Sequence, residues 1–89
     1  MPKLSEFEGI KISMYFDDSQ KHHKPHVHAE FGEHEISIAL DGELLEGSMP
    51  RNKLKLIEAW LILHEDELYG AWNNAVRKLP IAKIAPLNK

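Results

Sequence analysis

Apolar and polar positions alternate along three stretches of the first half of the chain. Ile10, Ile12, Met14 and Phe16 are separated by Lys11, Ser13 and Tyr15. Period two with β-branched and aromatic members predicts a half-buried strand over 10–16. Asp17 to Pro25 is polar and ends in proline, which predicts a loop. Val27, Ala29 and Phe31 alternate with His26, His28 and Glu30, predicting a second strand over 26–31. Ile36, Ile38 and Leu40 alternate with Glu35, Ser37 and Ala39, predicting a third over 34–40. Gly32-Glu33 between them is a Gly-X unit that suits a type II′ hairpin turn. Such a turn sets Phe31 opposite His34, Ala29 opposite Ile36 and Val27 opposite Ile38. On the other face it sets His28 opposite Ser37, His26 opposite Ala39 and Glu30 opposite Glu35. Asp41-Gly42 predicts a further turn and residues 43–47 a short fourth strand.

From Pro50 to about Lys78 the period changes to that of a helix. Ser48 is positioned to cap it, with Pro50 in its first turn. Leu54, Ile57, Leu61, Leu68 and Trp72 form one stripe, and Leu56, Trp60 and Leu63 extend it sideways. Lys55, Glu58, Asp66, Asn73 and Arg77 hold the far side. The apolar arc is near half the circumference, wider than contact with one sheet needs. Gly70 weakens the helix and marks a place for a bend. Pro80 ends it, and Ile81, Ile84 and Leu87 form an apolar tail suited to a short edge strand. The expected fold class is α+β: an antiparallel sheet of three to five strands with one long helix across its apolar face. Val27, Ile36, Ile38, Leu61 and Trp72 are the expected core.

Length narrows this to one domain, residues 1–89, because so short a chain does not support two cores. Cysteine is absent, which removes disulfides, thiolate metal sites and thiol chemistry. The formal charge of −3 lacks the basic footprint of a duplex-DNA binder, although local clusters leave nucleic acid open. The start has no signal-peptide run, and Ala59-Trp60-Leu61-Ile62-Leu63 is too short to span a bilayer. A cytoplasmic protein with no membrane association is expected.

Chemistry concentrates in His22-His23-Lys24-Pro25-His26-Val27-His28. Residues two apart on a strand project to one face. With Val27, Ala29 and Phe31 on the core side, His26, His28 and Glu30 share the open side with Tyr15, Lys11 and Ser37. Two imidazoles there can chelate a divalent metal such as zinc, nickel or copper. Glu30 would be the third ligand, with Asp17, His22 or His23 as substitutes. Without metal, His26, His28 and Tyr15 form a candidate acid–base set. The competing reading is a solvated polar face with the histidines bonded to nearby carboxylates.

Two further features stand apart. His64 lies on the apolar arc one turn beyond Trp60, which fits either a buried structural imidazole or a relay to the strand histidines. Arg51, Lys53 and Lys55 at the helix start can hold a phosphate or simply be solvated. No Gly-rich phosphate loop, nucleophile elbow or paired-carboxylate motif appears.

Several pieces in order resemble one bacterial family. They are Gly9-Ile10 before Met14-Tyr15-Phe16, then Pro25-His26-Val27-His28-Ala29, then Leu45-Glu46-Gly47-Ser48-Met49-Pro50-Arg51. Glu58-Ala59-Trp60, His64, Asp66-Glu67-Leu68, Trp72 and Lys83-Ile84-Ala85-Pro86-Leu87 continue the match. The chain is similar along nearly its whole length to the domain of unknown function 4160 family. The Ser19-to-Lys24 loop is longer and more basic than the family's usual approach to this motif. The resemblance implies half of a two-gene unit of toxin–antitoxin-like arrangement, and it carries over no catalytic residue. Two function classes follow. One is a protein-interaction component, partnered by a second copy in a homodimer or by a small neighbouring-gene protein. Leu56, Trp60 and Leu63 are its expected contact residues. The other is a small hydrolase or ribonuclease acting through His26 and His28.

Overall fold

The period-two segments pair strictly in chain order. The computed structural model describes residues 3–14 and 24–87. Its five strands are β1 (Lys3–Phe7), β2 (Ile10–Ser13), β3 (His26–Phe31), β4 (His34–Ala39) and β5 (Leu44–Ser48). They form one antiparallel sheet in the order β1-β2-β3-β4-β5. Two helices follow, α1 (Arg51–Leu63) and α2 (Glu65–Val76). The class is α+β, with the sheet at the upper end of the expected strand number.

The β3–β4 hairpin has the register that its turn dictates, from Phe31 opposite His34 to His26 opposite Ala39. Gly32 has φ +58 and Glu33 is not in the positive-φ region, the sign pattern of a II′ turn. β1 was not expected. Its pairing with β2 shifts between Lys3 and Ser5, so Leu4 and Ser5 are both buried and the period-two signal is lost.

The single helix expected over 50–78 is two helices. His64, with φ −115 and ψ 27, ends α1 and caps α2. Its N–H donates to the Trp60 carbonyl, and Leu68 N–H donates to the His64 carbonyl. Glu65, Asp66 and Glu67 fill the first turn of α2, where the positive end of the helix dipole favours them. Gly70 lies inside α2, which runs through it unbroken. Ser48 is the last residue of β5 rather than a cap; Pro50 holds that position without a side-chain bond.

Ile57, Trp60 and Leu61 of α1 and Leu68, Ala71, Trp72 and Ala75 of α2 join Ile10, Ile12, Val27, Ala29, Ile36 and Ile38 in one core. All five expected core residues are buried. Trp60 packs its ring 5.6 Å from that of Phe7 and donates its indole N–H to the Ala85 carbonyl at 2.8 Å. Removing a tryptophan of roughly 200 Å² from water stabilises by about 5 kcal/mol as an upper bound. The tail forms no strand. Ile84 N–H donates to the Leu4 carbonyl at 2.8 Å, and Ile81, Ile84 and Leu87 pack on the core.

Candidate functional site

The outer face of the sheet carries a polar row built by the β3–β4 register. Ser13, His28, Ser37 and Glu46 lie side by side across β2 to β5. Lys11, Glu30, Glu35 and Ser48 form the next row. The like charges of Glu30 and Glu35 are therefore cross-strand neighbours, with Lys11 as the cation on the other side of Glu30. His28, Glu35, Ile36, Ser37, Glu46 and Gly47 line a cavity of about 310 Å³. Ser37 Oγ lies 3.5 Å and Glu35 Oε2 lies 4.0 Å from the same nitrogen, His28 Nδ1.

His26 corrects the expectation of an open histidine pair. It is 0% exposed, and its ring centroid lies 5.2 Å from Trp72 of α2 and 5.7 Å from His28. Trp72 of α2 covers this ring at the beginning of β3. His26 Nδ1–H donates to the Lys24 carbonyl at 2.7 Å, which fixes where that proton sits. The two histidines thus have different surroundings: His26 belongs to the packed interior, whereas His28 faces the cavity.

For a metal, the donor set needs a third ligand. Among the described residues, no three His, Asp or Glu side chains come together in a way that could hold an ion. The other residues considered for the site, Tyr15, Asp17, His22 and His23, lie outside the described residues.

Lys24 ties the entry of β3 to the β4–β5 turn. Its ammonium donates to Asp41 Oδ2 at 2.7 Å and Glu43 Oε1 at 2.5 Å. The hydrogen bond to Asp41, then that to Glu43, pushes the Lys24 pKa up. The Lys24 bond, reinforced by the Glu43 backbone N–H, holds the Asp41 carboxyl below its ordinary value. At the helix start, Lys53 Nζ donates to the Glu8 carbonyl at 3.2 Å and stands 4.8 Å over the Phe31 ring. This member of the proposed phosphate cluster is thus engaged in docking α1 on the sheet.

A second surface lies at the elbow between the helices. Ile62 and Leu63 end α1 with 79% and 62% of their surface exposed. One cavity, of about 340 Å³, joins Ile62 to Leu40, Asp41, Gly42, Glu58 and Glu65. Another, of about 280 Å³, is lined by Ile62 to Glu67. His64 closes the elbow, its ring 5.6 Å from that of Trp60 and its Nδ1–H donating to Glu67 Oε1 at 2.6 Å. His64 Nε2 is buried without a hydrogen-bond partner among the described residues. The relay from His64 to the strand histidines is replaced by this contact with its own helix turn.

The three expected contact residues separate. Leu63 is exposed, Leu56 is half-buried against the core, and Trp60 is 0% exposed, so it has no surface to offer a partner. Trp60 flanks the Leu54, Ile57 and Leu61 stripe within α1, and that flank is covered as well, by Phe7 and the tail. Trp60 thus joins Ile57 and Leu61 as the buried face of α1. Ile62 was missed because periodicity marks the apolar positions of a helix without saying which face the sheet covers.

Among the described residues, no helix is long and apolar enough to cross a membrane. No curated protein and no solved structure matches the chain. The profile of one family, described as Domain of unknown function (DUF4160), matches residues 9–73, and with most of its length covered the chain belongs to that family.

Proposed function

We propose that this chain is the protein-interaction component of a two-protein, toxin–antitoxin-like module, and that it contacts its partner through the α1–α2 elbow. The observation that carries this reading is the adjacent exposure of Ile62 and Leu63 between two cavities. Single exposed apolar residues are common on soluble proteins. Two consecutive large ones, next to concave surface, are the kind of patch that binding covers. The two-gene arrangement implied by the family resemblance supplies the natural partner, a small protein encoded beside this one.

The test is co-expression with the product of the neighbouring gene, followed by light scattering on the purified material. A complex of fixed stoichiometry is expected, and Leu63→Asp should weaken it without unfolding the chain, because the side chain is exposed. Separate elution of the two proteins at high concentration would overturn the reading.

The hydrolase alternative has weaker support. In a nucleophile–imidazole–carboxylate relay, the nucleophile and the carboxylate use opposite ring nitrogens. Here Ser37 and Glu35 approach the same one. Glu35 and Glu46 also line the His28 cavity, and their charge opposes the approach of an RNA phosphate.

A further inference from the structure

We infer that the segment docking at the elbow is basic: a stretch of a different protein in which leucine-like side chains are flanked by lysine or arginine. This rests on the interaction reading above and names the chemistry of the partner. The argument is charge complementarity around an apolar centre. Glu65, Asp66 and Glu67 occupy the first turn of α2, Glu58 stands one turn before Ile62, and the last turn of α1 contains no basic residue. Two nearby acids are already engaged, Asp41 by Lys24 and Glu67 by His64. Glu58, Glu65 and Asp66 have no ion-pair partner among the described residues, and they border the same two cavities as Ile62.

The helix dipole accounts for acids at the start of α2. It does not account for Glu58, which lies in the body of α1, nor for apolar side chains exposed beside these charges. A second copy of this chain is a poor occupant, because an elbow meeting its twin would face its own carboxylates. A basic segment gains from the same charges, first in the rate of encounter and then in choice of partner.

The test uses two labelled amphipathic peptides of about 20 residues, long enough for helix formation, one of leucine, alanine and lysine and the other with every lysine replaced by glutamate. Fluorescence anisotropy at low salt should show the lysine peptide binding at least about tenfold more tightly, with the advantage shrinking near 0.5 M salt. Ile62→Asp should abolish its binding. Glu65→Gln with Asp66→Asn should weaken it about threefold or more, whereas Glu33→Gln, in the β3–β4 turn, should not. Where the double variant folds poorly, Glu58→Gln in the middle of α1 asks the same question. Equal affinity for the two peptides, or an equal loss from Glu33→Gln, overturns the inference. A stoichiometric complex with the neighbouring protein that survives Ile62→Asp also overturns it, yet leaves the interaction reading standing. Absence of any such complex removes the interaction reading itself.

Discussion

Two glycines give opposite predictions for the same substitution. Gly70 lies in the middle of α2, is exposed and does not have a positive φ, and a Cβ there meets nothing within 4 Å. Gly70→Ala therefore recovers the helix propensity difference of about 0.8–1 kcal/mol and incurs no steric cost. At roughly 2.1 cal/mol/K of unfolding entropy per residue, this chain has about 190 cal/mol/K at its midpoint, so Tm should rise by about 5 °C. Gly47 has φ +88, and a Cβ there would stand 2.1 Å from the Glu35 carbonyl oxygen. Gly47→Ala must strain the backbone and push β5 away from β4, which should destabilise by at least about 2 kcal/mol. Thermal melts followed by circular dichroism, with urea titrations to check that the slope is unchanged, separate the two. A lower Tm for Gly70→Ala, or a neutral Gly47→Ala, would refute the reasoning about both backbones.

Trp60→Phe should destabilise by about 2–3 kcal/mol in urea, since it loses core volume and leaves the Ala85 carbonyl without its indole donor; a cost under about 1 kcal/mol would show that the tail does not depend on that bond. His26→Ala should cost about 2 kcal/mol or more because the ring fills space against Trp72, whereas the less enclosed His28→Ala should cost less, and the reverse order would return His26 to the surface. The lowered folded-state pKa of Asp41 stabilises the fold above the ordinary carboxylate value, and this is lost as pH falls through the folded value. Acid titrations of wild type and Lys24→Met should therefore converge at low pH, and curves that stay parallel throughout would dismiss the Lys24–Asp41 pair as a source of stability.

Where one side chain per two residues reported burial, the sequence was readable. The β3–β4 register follows from Gly32-Glu33 and the Val27-Ala29-Phe31 alternation alone, because a slip of one residue would turn Ile36 and Ile38 to solvent. β1 was illegible because its bulge buries Leu4 and Ser5 together. The division of the helix was signalled by Glu65-Asp66-Glu67, a first-turn signature, but with no proline or glycine at His64 the apolar period ran on across the break. The position of His26 was hidden because its burial comes from Trp72 of α2, a contact between distant parts of the chain that strand alternation does not report. Which apolar residues stay outside is a property of the assembled layers, so Ile62 became visible only with α1 seated on the sheet.

The bond from Ile84 to Leu4 has a consequence for how the protein is made. β1 is an edge strand, and among the described residues its outer side gains this contact from Ile84, about 80 residues along the chain. On the ribosome the sheet can assemble strand by strand as it emerges, since every pairing is between consecutive strands. The Ile84 bond to the outer edge and the acceptor of the Trp60 indole are nevertheless missing until Ala85 has left the exit tunnel. Nascent chains stalled before Ile84 would lack this cover on the β1 edge, and an uncovered β edge is a template for pairing with another chain.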